Sequence, residues 1–376
     1  MLYWLHELSD VFSPLRMFRY ITFRTVMAAG TAFVFSLIIG PWLINKLRTI
    51  NFGEQCEDER VGDLDRSKKV GTPTMGGLLI LFTTAVATLL WAIPGSFYVL
   101  CALSTFVFMG VLGFVDDYSK VKSRGGLSPK MKMLWQGLWS VFLVIALISN
   151  PETCVRTQQL MIPFFKEPVI ACMGFVGTLA FLALILVGSS NAVNLTDGLD
   201  GLAIGCSNSA VAAYLAMAYV AGHFSFAEYL QVPFVQGGGE LAVFCGALLG
   251  AGLGFLWFNC HPAKIFMGDT GSLAIGAAVA VVAILIKQEL VLVLVGGVFV
   301  MEAMSVMMQV GWFKFTRKKY GEGRRIFLRA PLHHHFEYMA IKQGKSVSAY
   351  ENRITIRFWI LSIIFALVGV ASLKLR

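Results

Sequence analysis

Residues 97–117 read FYVLCALSTFVFMGVLGFVDD. Nineteen residues pass without a charge, and then two carboxylates stand side by side. About 20 apolar residues carry a helix across the hydrocarbon of a bilayer. The run lacks the period-2 alternation of a barrel strand, so a helix is the expected form. Nine further runs of this kind flank it, at 21–44, 74–93, 133–149, 169–188, 201–221, 240–258, 270–286, 290–313 and 355–373. The break between the eighth and ninth spans rests on Lys287, Gln288 and Glu289. The expected fold is an all-α polytopic membrane protein of about ten transmembrane helices, forming one integral membrane domain over 1–376.

Composition agrees. Of 376 residues, 57% are hydrophobic and only 14% charged, against roughly 25% charged in soluble domains. A soluble fold of this size would leave too much apolar surface in water. Disorder needs low hydrophobicity and high net charge, and is excluded as well.

The formal charge is +9. In a soluble protein that excess would suggest nucleic acid. In a membrane protein it marks the cytoplasmic loops, and no nucleic-acid partner is expected. With both termini outside, the inside loops hold 22 Lys and Arg and the outside segments 7, while Arg24 and Arg357 lie within spans. The expectation is therefore two periplasmic termini. Arg16 and Arg19, just ahead of the first span, oppose it locally.

Seven scattered cysteines without a C-x-x-C pair argue against a disulfide framework or a zinc site. Residues 1–20 carry Glu7 and Asp10 and do not have the layout of a secretory signal. Gly246, Gly250 and Gly254 fall four apart in the seventh span, a spacing that admits a close helix neighbour, within the monomer or across a dimer.

Polar residues gather on the expected inside face. Asp116 and Asp117 stand where the third span ends. Adjacent carboxylates repel unless a cation sits between them, and Mg²⁺ typically takes one or two carboxylates plus substrate phosphates. A solvated helix end neutralised by Lys120 and Lys122 is the plainer reading. Asn191-Ala192-Val193-Asn194-Leu195-Thr196-Asp197-Gly198-Leu199-Asp200-Gly201 follows the fifth span with no Lys or Arg. Its amides and carboxylates suit a polar ring or sugar hydroxyls, and equally suit turns and a helix cap.

Asn259 to Ser272 joins the seventh and eighth spans. Asp269, between Gly268 and Gly271, stands where the eighth helix would begin. It is either a cap or part of an anion and metal site at a helix N-terminus. Phe266 beside it is a base-stacking surface or an interfacial anchor. Pro331-Leu332-His333-His334-His335-Phe336-Glu337 places half of the six histidines in one run, suited to a transition metal or a phosphate. Lys68 to Gly77 offers glycines and threonines beside lysine, without the order of a P-loop. Jointly these motifs describe a site for a cytosolic, phosphate-bearing, nucleotide-like substrate. The reaction would be Mg²⁺-assisted phosphoryl transfer to a lipidic acceptor.

Five stretches carry a resemblance: Gly71 to Gly77, Gly113 to Asp117, Asn191 to Gly201, Phe266 to Ser272 and Pro331 to Glu337. In this order they resemble the phospho-N-acetylmuramoyl-pentapeptide transferase family, a branch of the polyprenyl-phosphate N-acetylhexosamine-1-phosphate transferases. The likeness runs from about Thr22 to Leu373. It implies a ten-helix, commonly dimeric enzyme of the bacterial cytoplasmic (inner) membrane with Mg²⁺ as cofactor. It also implies UDP-MurNAc-pentapeptide and undecaprenyl phosphate as substrates, and lipid I and UMP as products.

Carried over, Asp269 resembles the metal ligand, with Asp117 beside it. Asp116 and Asp117 resemble the essential pair, with Asp116 nearer the lipid phosphate, and His333 joins them as a catalytic candidate. Lys69, Asn194, Asp197, Asp200, Phe266 and Gln309 resemble the nucleoside pocket. Lys120, Lys132, Asn259, His333, His334 and His335 resemble the phosphate and sugar side. Thr74, Asn191 and Gly268 complete the substrate-binding set. One stretch departs from the family: Gly62 is followed by Asp63, and Arg66 stands where a histidine is usual.

Two other functions fit parts of the pattern. A sister transferase acting on UDP-GlcNAc would share the aspartates. A transporter would use ten helices and the intramembrane Glu302. Against transport, almost nothing polar lines the outer half, and Glu302 is expected to be paired inside the bundle.

Overall fold

The computed structural model describes residues 1–50, 71–123, 125–344 and 347–375. Among these, nine helices are long and apolar enough to cross a membrane, and no β-strand forms. The principal helices in chain order are α1 (Ile21–Thr49), α2 (Gly77–Trp91), α3 (Phe97–Ser123), α4 (Pro129–Ser149) and α5 (Gly174–Thr196). They continue as α6 (Leu202–Ala221), α7 (Glu240–Asn259), α8 (Gly268–Leu285), α9 (Gly297–Tyr320), α10 (Leu332–Lys342) and α11 (Val347–Ala371). Ten of these eleven stand at the ten apolar runs. The eleventh, α10, carries the three histidines.

Helix α8 is the axis of the bundle. Every residue from Thr270 to Leu285 is buried, and α3 and α5 pack along it. A helix that is apolar all round has no solvent face to show and so takes the centre. Helices α1 and α7 pack closely side by side, and the glycine stripe explains why. A Cβ at Gly246 would stand 2.7 Å from the Thr25 carbonyl oxygen, and one at Gly250 would overlap the Ala29 carbonyl. The stripe therefore serves packing within the monomer.

Three boundaries differ from the sequence reading, each for a tertiary reason. The run at 74–93 forms only a fifteen-residue helix, α2. Residues 73–77 are instead stitched to 266–267: Phe266 N donates to the Pro73 carbonyl at 2.8 Å, Gly76 N to the Phe266 carbonyl at 2.8 Å and Gly77 N to the Met267 carbonyl at 2.9 Å. The fifth helix continues to Thr196, so Asn191 and Asn194 lie on its last turns and the connection shrinks to 197–201. The ninth run is divided into a short helix, Val291–Val295, and α9. Before that short helix, Lys287 takes a left-handed backbone (φ 58°) and is buried, its Nζ donating to the Gln159 carbonyl at 2.8 Å and pairing with Glu289.

Arg24, inside the first span, is nearly fully buried. Its guanidinium grips Glu240 with two bonds of 2.7 and 2.6 Å and donates to the Trp91 carbonyl at 3.2 Å. Glu240 also accepts from Ile93 N at 3.0 Å, so one ion pair ties α1, the end of α2 and α7. Removing one buried partner strands the other charge, at a cost of about 3–5 kcal/mol. Glu240→Ala should lower the thermal unfolding midpoint in detergent markedly, and the Arg24→Met/Glu240→Met pair should recover most of the loss.

The six cysteines among the described residues are free thiols. The long 222–239 connection folds as a short helix, Phe224–Leu230, returned to α6 by a bond from Val235 N to the Ala221 carbonyl. With the 159–168 segment it lines a cavity of about 440 Å³.

Candidate active site

The end of α3 and the start of α8 meet at glycines. A Cβ at Gly113 would overlap the backbone of Asp269 and Thr270, and one at Gly77 the backbone of Gly271. This close approach brings Asp116, Asp117 and Asp269 together, with one ligand oxygen from each lying within 4.8 Å of the others.

Asp117 is buried against the first turn of α8. It accepts from Asp269 N at 3.1 Å, Thr270 N at 2.9 Å and Thr270 Oγ1 at 2.7 Å. The free N–H groups of a helix start are therefore satisfied by a carboxylate from a neighbouring helix. That frees Asp269, one residue into α8, from the capping duty its position suggested. Thr270 was not singled out from the sequence, though its hydroxyl in the Asp-Thr-Gly-Ser run was the available signal.

Asp116 is fully buried. Its Oδ1 accepts from Leu127 N at 2.7 Å, and its Oδ2 lies 2.7 Å from both Lys120 Nζ and Lys132 Nζ. The same two lysines reach Asp269, Lys120 at 3.1 Å and Lys132 at 2.6 Å. Three carboxylates thus share two ammonium groups, and one negative charge remains. Asp269, Lys132 and Lys120 are the exposed members, at 13%, 19% and 47% of their side chains. An incoming phosphate would therefore meet them first.

A second group joins the α5–α6 turn to the α7–α8 connection. Asp200 Oδ2 lies 3.0 Å from His261 Nδ1 and accepts from Ala263 N at 3.2 Å. Glu351 of α11 stands 3.9 Å from the same histidine, and the three make a second set able to hold an ion. Asn259 donates to the Ile265 carbonyl at 2.8 Å and accepts from Gly201 N at 3.1 Å. Its amide holds the two connections in register. Phe266 is half-buried beside the 73–76 segment that carries Thr74.

Asn191 donates to Gln136 Oε1 at 2.9 Å and to the Val187 carbonyl at 2.8 Å. Asn194 and Asp197 are half-buried at the end of α5, and Gly268 opens α8 with φ 71°. Gln309 holds the connection after α9, accepting from Ile326 N and Phe327 N, both at 3.0 Å. Lys69 and Arg66 lie outside the described residues.

The three histidines occupy different environments. His333 is fully buried, with Nδ1 3.2 Å from Glu302. His334 Nδ1 lies 2.8 Å from Glu337. Burial holds its imidazole below the usual histidine range, against the pull of Glu337, so it is neutral at pH 7. His335 Nδ1 accepts from Leu328 N at 3.1 Å, which leaves its proton on Nε2.

Comparison with known proteins agrees with this arrangement. The glycosyl transferase family 4 model matches residues 99–287, and a signature of phospho-N-acetylmuramoyl-pentapeptide-transferase matches 69–81. The transferase of that name from Solidesulfovibrio magneticus is 50% identical, covering 100% of this chain and 99% of the relative. Those from Opitutus terrae and Neisseria gonorrhoeae are each 46% identical, over 100% of both chains. The chain belongs to the phospho-N-acetylmuramoyl-pentapeptide-transferase family. The family signature covers the segment that pairs with Phe266, and the wider match spans all three clustered aspartates.

Proposed function

We propose that the chain transfers phospho-MurNAc-pentapeptide from its UDP-activated form to undecaprenyl phosphate. The products are undecaprenyl-diphospho-MurNAc-pentapeptide (lipid I) and UMP, in the first membrane step of peptidoglycan synthesis. Full-length identity near 50% to relatives with that name carries the reading. The three-carboxylate, two-lysine centre supports it. The chain works as a homodimer in the bacterial cytoplasmic membrane, with the centre facing the cytosol and both termini in the periplasm.

A phosphate oxygen of the lipid attacks the sugar-side phosphorus, a new P–O bond forms, and the bond to UMP breaks. The acceptor monoester, with a second pKa near 6, is mostly dianionic at pH 7. Asp116 takes the proton from the remainder. Lys120 and Lys132 turn from the carboxylates to the diphosphate and meet its developing charge. The donor set fits Mg²⁺, which prefers hard carboxylate oxygens; Asp269 and Asp117 would hold it. Asp117 already accepts three bonds, and a carboxylate offers about four such positions. Bound there, Mg²⁺ supplies charge neutralisation for the diphosphate and the leaving UMP. Lys69, Asn194, Asp197, Asp200, Phe266 and Gln309 serve the nucleoside side, and Thr74, Asn191 and Gly268 complete the substrate-binding set. Asn259, His333, His334 and His335 belong with Lys120 and Lys132 to the phosphate and sugar side.

Purified protein given both substrates and Mg²⁺ should form an organic-extractable MurNAc-pentapeptide lipid. A chelator should reduce this to background, and added Mg²⁺ should restore it. No lipid product would overturn the reading. Release of UMP without the lipid acceptor, stoichiometric with enzyme and lost in Asp116→Asn, would replace direct attack by an aspartyl-phosphate route.

A further inference from the structure

Glu302 is a fully buried carboxylate on α9, and the chemistry described above does not use it. Its Oε2 accepts from Leu332 N at 2.7 Å and its Oε1 from His333 N at 3.1 Å. These are the first N–H groups of α10, whose own cap position is Pro331 and provides no side-chain bond. The same carboxylate stands 3.2 Å from His333 Nδ1. On its far side, the His333 ring presses on the α5–α6 turn. A Cβ at Gly198 would overlap Nε2. Among the described residues neither buried ring nitrogen has a hydrogen-bond partner. The Glu302 carboxylate is the charged group beside Nδ1, and the His334 ring packs against the imidazole at 4.2 Å between centroids.

We propose that Glu302 is a positioning residue for the transfer reaction. It caps α10, draws the His333 proton to Nδ1, and seats the ring against Gly198, so that the histidine run and the 197–201 turn are held in one register. The inference rests on the function proposed above. A carboxylate beside the distal ring nitrogen fixes tautomer and orientation together. A buried charge whose acceptor sites meet a helix start and an imidazole costs far less than a bare one. This also accounts for an acidic residue within a span without a transport pathway.

A Glu302→Gln variant tests it, with a cycle through His333→Asn. Glu302→Gln should lower kcat about 30-fold, within the 10–100-fold range seen when an orienting partner is lost, with KM for the UDP substrate within twofold. The double variant should lose no more than His333→Asn alone, because both changes disable one unit. Multiplying losses, or a kcat for Glu302→Gln within threefold of wild type, would overturn the proposal. If Glu302→Gln does not fold, Gly198→Ala pushes the same ring while sparing the carboxylate. It should cost at least tenfold in kcat, and a wild-type kcat would overturn the proposal. Should the unsubstituted protein fail to form lipid product, the functional reading falls instead.

Discussion

Asp269→Asn should abolish turnover at every Mg²⁺ concentration, with a loss of at least about 10³-fold, or about 4 kcal/mol of transition-state stabilisation. The substitution keeps the volume and the place in α8 but removes the charge that Lys120 and Lys132 share. Asp269 is the most exposed of the three carboxylates. Asp116 is enclosed by Leu127 N and both lysines, and Asp117 is taken up by α8. Asp269 is therefore the carboxylate most open to a metal and a phosphate together, with Asp117 the second metal ligand. Steady-state rates across a Mg²⁺ titration check this. A near-normal rate at high Mg²⁺ would remove Asp269 from the metal site.

Gly113→Ala should damage fold and activity together. The added methyl would meet the backbone of Asp269 and Thr270, and no rotamer change relieves a backbone clash. Overpacking of this kind costs about 3 kcal/mol. The relief available is separation of α3 from α8, which moves Asp116 and Asp117 away from Asp269. A misplacement near 1 Å costs about 10²-fold in rate. The thermal midpoint and kcat of purified variant should both fall. A drop in stability with unchanged kcat would show that the carboxylate spacing is looser than proposed.

Much of the fold was legible because lipid imposes a simple rule: every span must be a long apolar helix. Residues 97–115 obey it without exception. The start of α2 was not legible, because residues 73–77 bond to Phe266 and Met267 almost two hundred positions away. Local hydropathy carries no trace of that pairing. The carboxylate centre was legible because charge at a membrane boundary is costly and stands out. The amides were harder. Asn191, Asn259 and Gln309 fit a ligand-binding reading, and each also bonds the protein itself. The same donors and acceptors serve both purposes, so residue type does not separate them. Glu302 was legible as a paired residue, but its partners, the start of α10 and His333, lie some thirty positions on.

The most direct measurement is UMP release by purified protein with undecaprenyl phosphate and Mg²⁺, offered UDP-MurNAc-pentapeptide and UDP-GlcNAc in turn. Release with the muramoyl substrate, dependent on the lipid acceptor and absent with UDP-GlcNAc, is the predicted result. Release with UDP-GlcNAc alone, or with neither sugar, would contradict the account.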